Sequence, residues 1–144
     1  MTDNSAVEKA KLLNDAGLEM VGKGEFDGAL AAFTEAMEVF RTEGFEREHA
    51  DQLQNIGSVY RDTNKASEAL DYYGRSLDIY KNLKFKPGIA NQYSNIAYIY
   101  FTIEKYEEAV DYFTKAELLY QVTGDEEKLA MARQNILVIS EKFL

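Results

Sequence analysis

A period of forty residues runs through the chain, and it constrains the fold more than any other feature. Ala10, Ala50, Ala90 and Ala130 share one column, Ala16, Ile56, Ile96 and Ile136 another, and Gly17, Gly57 and Ala97 the next. In the second half of each unit Ala29, Ala69 and Ala109 align. Phe33, Tyr73 and Phe113 follow, then Ala36, Ser76 and Ala116, then Phe40, Tyr80 and Tyr120. Size class persists down most of these columns as well as polarity, so the units are expected to pack alike. Such units bury their apolar side by stacking on one another.

Within a unit the spacing is helical. Phe26, Ala29, Leu30, Phe33, Ala36, Met37 and Phe40 recur at three and four residues, as do Leu53, Ile56, Gly57 and Tyr60, the stripe of an amphipathic helix. Breaks fall about every twenty residues, at Gly22–Gly24, Thr63–Lys65 and Glu104–Lys105, and Gly44 and Gly124 stand where a helix C′ residue needs positive φ. Ser5 and Glu8 have capping-box spacing, and Pro87 suits a first helical turn. The pattern predicts an all-α chain of seven helices near 6–22, 26–43, 46–63, 66–83, 87–103, 106–123 and 126–143. Small residues on both helices of a pair (Gly17, Gly57 and Ala97 against Ala29, Ala69 and Ala109) let the backbones approach. A mid-helix Gly costs about 1 kcal/mol relative to Ala, so two in register imply a packing reason.

Composition narrows the function. The 144 residues carry a net charge of −9 and contain no Cys. Thiolate metal sites, disulfides and cysteine nucleophiles are thereby excluded, and the acidity argues against a nucleic-acid partner. No apolar run approaches the ~20 residues of a membrane span, and MTDNSAVEKAK lacks a signal-peptide pattern, so the expected setting is cytoplasmic. His49, the one histidine, has no Cys and no HExxH context. Phosphate-binding glycine motifs are absent, and Asp27-Gly28 lacks the further acids of a calcium loop. The expectation is no enzyme, no cofactor and no metal.

At this point the residues resemble the tetratricopeptide (TPR) repeat. LQNIGSVY (53–60) and YSNIAYIY (93–100) are similar to its first half, and the Ala29/Phe33/Ala36 and Ala109/Phe113/Ala116 sets to its second. The resemblance implies a single domain over 1–144, a right-handed superhelix of three helix pairs (about 6–45, 46–85 and 86–125) with a capping helix over about 126–143. Two departures stand out: the unit has forty residues rather than the common 34, and the closing Pro is missing. Longer units with an N-hydrophobic-G/A signature look like the kinesin light chain and spindle-orientation adaptor branch.

That resemblance implies a concave groove lined by the first helix of each pair, binding an extended peptide of another protein. The column Asp15, Asn55, Asn95, Asn135 then offers one amide per repeat, each able to pair with the N–H and C=O of an extended strand. The alternative is that these amides bond within or between helices. Lys11, Asp51, Asn91 and Met131 share one inner-face column, and Lys11, Arg61, Asp15 and Asp51 give the groove mixed charge. The carboxylate clamp of chaperone-tail TPR domains maps to Lys11 and Asp15, Asn55, then Asn91 and Asn95. Asp15 would repel a carboxylate and the third-repeat cations are missing, so a clamp is not expected. Tyr98, Phe101, Met131 and Val138 form the apolar end, either as a side-chain pocket beside the amides or tucked against neighbouring helices.

The last helix carries Arg133, Leu137 and Ser140 where earlier units place partner-facing residues, which suits a polar terminal cap. Glu117 interrupts the Met37/Leu77 column; it is expected to be half exposed near the cap, the alternative being a groove-edge carboxylate. Leu137, Ile139, Phe143 and Leu144 leave an apolar strip. The expected function is a peptide-binding scaffold, with a monomer favoured over a homodimer. The alternative is an assembly protein that self-associates through its cap or convex face.

Overall fold

The computed structural model describes residues 4–144. Seven helices make up the described chain: α1 (Asn4–Gly22), α2 (Phe26–Thr42), α3 (Glu46–Asp62), α4 (Ala66–Asn82), α5 (Lys86–Thr102), α6 (Tyr106–Thr123) and α7 (Glu126–Phe143). Each boundary falls within two residues of the expected one. Ser5 lies inside α1 rather than ahead of it as a cap, and Pro87 sits in the first turn of α5. No strand occurs among the described residues.

The turns are built on one pattern. A residue with positive φ recurs every twenty positions: Gly24, Gly44, Asn64, Lys84, Glu104 and Gly124. At each turn the N–H that follows reaches back to the last helical turn, as in Glu25 to Met20 (2.8 Å), Lys65 to Tyr60 (2.8 Å) and Lys105 to Tyr100 (2.9 Å). This is the six-to-one bond of a Schellman cap. The carbonyl of that same residue then accepts the first bond of the next helix, as Glu25 does from Ala29 at 3.0 Å. One short turn thereby closes one helix and starts the next, which holds the repeat length constant.

The chain divides into two compact units, Met1–Ile79 and Tyr80–Leu144. In the first, α2 packs against α1 and α3, and Phe33, Met37, Leu53, Ile56 and Val59 form a core with Ala29. A Cβ on Gly17 would lie 2.5 Å from Phe33 Cε1, and one on Gly57 2.9 Å from Tyr73 Cδ1. The small column therefore exists because an aromatic ring occupies the space of a side chain. Ser76 in the alanine column donates to the Ala50 carbonyl at 2.8 Å. Tyr73 is fully buried and its hydroxyl meets Ser58 Oγ at 2.9 Å. Burial pushes that phenol up from its ordinary pKa, an effect partly offset by the Ser58 bond.

In the second unit α6 packs against α5 and α7. Ala97, Ala109, Phe113 and Ile139 form one core cluster, and Ala90, Ala116, Tyr120 and Ala132 another. Glu117 is more exposed than Met37 and Leu77 in its column: partly exposed, it faces Arg133 of α7 at 3.4 Å, with its side chain 26% accessible. Leu137 is half exposed.

Candidate functional site

The expected groove residues divide between the two units. In unit 1, Lys11 is exposed and paired with Glu8 at 3.4 Å, and the exposed Asp15 accepts from Asn14 Nδ2 at 3.3 Å. Asn14 Oδ1 accepts from both Asn55 Nδ2 (2.9 Å) and the buried Gln52 Nε2 (3.0 Å). The amide of Asn55 is therefore engaged between helices, as the alternative reading of this column held. Gln52 and Asn14 stand in different columns, 12 and 14 of the repeat, so the periodicity does not pair them. Gln52 stands among Asp51, Gln54 and Asn55, so its burial leaves no apolar signature in the sequence. Arg61 Nε reaches the neighbouring Asp62 at 3.0 Å.

In unit 2 the amides have different fates. Asn91 Oδ1 accepts from Tyr120 Oη at 2.9 Å and from Lys128 Nζ at 3.0 Å, joining α5 to α6 and α7. Tyr120 spends its one proton on Asn91, so Ser94 Oγ, 3.2 Å away, is the donor to the phenol oxygen. Burial raises the pKa of Tyr120, and the Ser94 bond partly opposes this, so the phenol stays a donor at neutral pH. Asn95 is half-buried and Asn135 exposed, and among the described residues neither makes a side-chain hydrogen bond.

Tyr98, Phe101, Asn135 and Val138 converge on one cavity of about 120 Å³, with Phe113 and Ile139 as the remaining lining. Tyr98 is 48% exposed. Phe101 serves both readings. Its ring meets Tyr106 at 5.7 Å and Phe143 at 5.5 Å, and those contacts hold it at the cavity wall. Phe113 and Ile139 sit in columns that read as core, which is why the sequence did not nominate them. Met131 is exposed and stands outside the cavity. With five apolar or aromatic walls and one amide, the cavity suits an uncharged side chain with a hydrogen-bonding group beside it.

Among the described residues no group of three or more His, Asp or Glu is placed to hold a metal. No described helix is long and apolar enough to cross a membrane. His49, half-buried at the start of α3, has its pKa lowered by burial and by Arg41 and Arg75.

Paired helices, forty-residue periodicity and small-against-aromatic columns define a TPR-type helical-repeat protein. Solved structures agree at the level of fold. RapI superposes with a TM-score of 0.87 at 18% identity over 94% of this chain and 50% of its own. The aspartyl phosphate phosphatase F of Bacillus subtilis gives 0.79 at 13% identity, over 94% of this chain and 41% of its own. The TPR domain of Arabidopsis FLU gives 0.76 at 20% identity, over 81% of this chain and 98% of that domain. The chain thus spans half or less of the length of the first two. The family model described as "Soluble NSF attachment protein, SNAP" matches residues 2–125, and the chain belongs to that family. No curated protein matches it in sequence.

Proposed function

We propose that the protein is a non-catalytic interaction module that binds an extended segment of another protein, with its anchoring site in unit 2. The observation that carries this reading is the convergence of Tyr98, Phe101, Val138 and Asn135 on one cavity. A large apolar side chain of the segment enters the cavity, and the Asn135 amide pairs with the adjacent main chain. Asn95, whose amide is likewise unengaged among the described residues, offers a second such contact. Asn55 contributes less, because its Nδ2 is already given to Asn14. Lys11, Asp15, Arg61 and Asn91 are held by neighbours in the same way. The family's name describes attachment to NSF, which supports a role in binding a partner. Ordering a flexible segment offsets much of the contact energy, so micromolar affinity is expected.

The test is fluorescence polarisation with a library of short extended peptides that differ in one large apolar position. Tyr98→Ala and Asn135→Ala should each weaken the best peptide about tenfold or more, since anchors of this kind commonly contribute ~2 kcal/mol. Their melting temperatures should stay within about 2 °C of the parent. Binding that survives both substitutions refutes the site.

A second reading rests on α7. Glu126, Leu129, Ala130, Arg133, Gln134 and Leu137 line a broad open depression along its outer face, and Leu137 and Leu144 are at least half exposed. Self-association through this face would make the protein an assembly unit. Sedimentation separates the two readings: a monomer at all concentrations removes the second.

A further inference from the structure

Charge on unit 2 is arranged in a way the peptide-binding cavity does not use. The chain is acidic overall, yet no Asp or Glu occurs between Asp78 and Glu104, while Lys81, Lys84 and Lys86 lie in that stretch. Lys81, near the end of α4, and Lys115, on α6, both reach the ring of Tyr93 on α5. Their Nζ atoms lie 5.6 and 5.7 Å from its centroid. Lys115 Nζ is also 4.7 Å from the Tyr112 centroid. The Tyr112 ring lies 6.0 Å from that of Tyr93 and stacks on Tyr100 at 5.5 Å. Among the described residues neither lysine forms an ion pair, although Asp78 and Asp111 stand one turn away on the same helices.

The same columns in unit 1 show what a neutralised version looks like. Arg41 and Arg75 stand forty residues before Lys81 and Lys115, and each has its own carboxylate: Arg41 to Glu38 at 2.7 Å, Arg75 to Asp71 at 3.9 Å. Leu53 replaces Tyr93 there. A ring face attracts an ammonium group without cancelling its charge, so two cations gathered on one ring remain available to anions.

We infer that the Lys81–Tyr93–Lys115 patch docks an acidic segment of a partner protein. Carboxylates of the segment meet the two lysines, and an apolar side chain lies on the rings of Tyr93, Tyr112 and Tyr100. A nucleic acid or an anionic membrane fits less well, because it extends beyond the patch and meets repulsion from a chain of net charge −9. Tyr93 and Tyr98 are five residues apart, about 140° around the helix axis. The patch therefore lies on a different face of α5 from the cavity wall, and each site stands or falls alone.

Fluorescence anisotropy on the full chain tests this, using a fluorescein-labelled Asp/Glu-rich peptide that carries one Phe. Saturable binding is expected, weakened about tenfold or more by Lys81→Gln/Lys115→Gln and severalfold by raising NaCl from 50 to 300 mM. Lys81→Arg/Lys115→Arg should retain it, and Lys9→Gln/Lys23→Gln in unit 1 should not affect it. A charge-reversed Lys81→Glu/Lys115→Glu chain should bind a Lys-rich peptide instead. Absence of saturable binding, or equal affinity in the Gln variant, overturns the inference. So does tighter binding of single-stranded RNA or phosphatidylserine vesicles that is lost in the same variant.

Discussion

Replacing Gly17 with Ala puts the packing argument at risk directly. In a helix interior the substitution should stabilise by about 1 kcal/mol on propensity alone. At Gly17, however, the new methyl would stand 2.5, 2.8 and 2.9 Å from three atoms of the Phe33 ring, where carbon atoms prefer about 3.5–4.0 Å. Phe33 is 1% exposed and walled in by Met37, Leu53, Ile56 and Val59, so it has nowhere to retreat. Overpacking costs about 1–3 kcal/mol, and three contacts under 3.0 Å against a ring with no room to move belong in its upper part, about 2–3 kcal/mol, which leaves a net loss of ~1–2 kcal/mol. At about 2.1 cal/mol/K per residue the unfolding entropy of 144 residues is near 0.3 kcal/mol/K, so calorimetry should show Tm lower by ~3–6 °C. Gly74→Ala is the control. Nothing lies within 4 Å of the added atom there, and Tm should rise by ~3 °C. Phe33→Leu frees the contested volume, so combining it with Gly17→Ala should cost less than the sum of the two. A rise in Tm for Gly17→Ala, matching Gly74→Ala, would refute the claim that the small column is there for the ring.

Other outcomes follow from the turns and the histidine. Lys84 and Glu104 hold positive φ with full side chains, a conformation that costs an L-residue about 1–2 kcal/mol. Lys84→Gly and Glu104→Gly should each raise Tm by a few degrees in thermal melts, and a fall in both would show that the side chains themselves hold the turn. His49 has a folded pKa below 6.5, so the unfolded chain binds the extra proton first as pH falls. Its contribution to stability is fully present above pH 6.5 and is lost as pH drops from there through the folded value. Urea unfolding between pH 7.5 and 5.5 should be less steeply acid-sensitive in His49→Gln than in the parent. Ser76→Ala restores the residue that Ala36 and Ala116 hold in the other units, and should change stability by no more than ~1 kcal/mol, since Ala50 keeps its helical bond.

The candidate site was legible only in part, and particular residues show where reading stopped. The columns put Tyr98, Phe101, Val138 and Asn135 on the groove face, and they meet at one cavity. The same rule puts Asn55 and Asn91 there, yet their amides are committed to Asn14 and to Tyr120 with Lys128. A column states which face a side chain leaves from. It does not state whether a donor from another helix waits there. Phe113 and Ile139 carried the opposite ambiguity, since an aromatic or aliphatic residue in a core column looks the same whether its far edge meets protein or open space.

Helix number, helix ends and the close-packed face were determined by the sequence alone, because they depend on neighbours three, four and forty residues away along the chain. Even so, the turns at Asn64, Lys84 and Glu104 use residues with no glycine signature, and only the backbone geometry displays the six-fold recurrence of positive φ. Pairing was decided by the tertiary structure: which amide is spent, which lysine lacks a carboxylate, and which ring two ammonium groups share. Those outcomes depend on distances of a few ångströms between helices. A hydrogen bond or ion pair is gained or lost over such distances, while the periodic pattern that builds the helices remains unchanged.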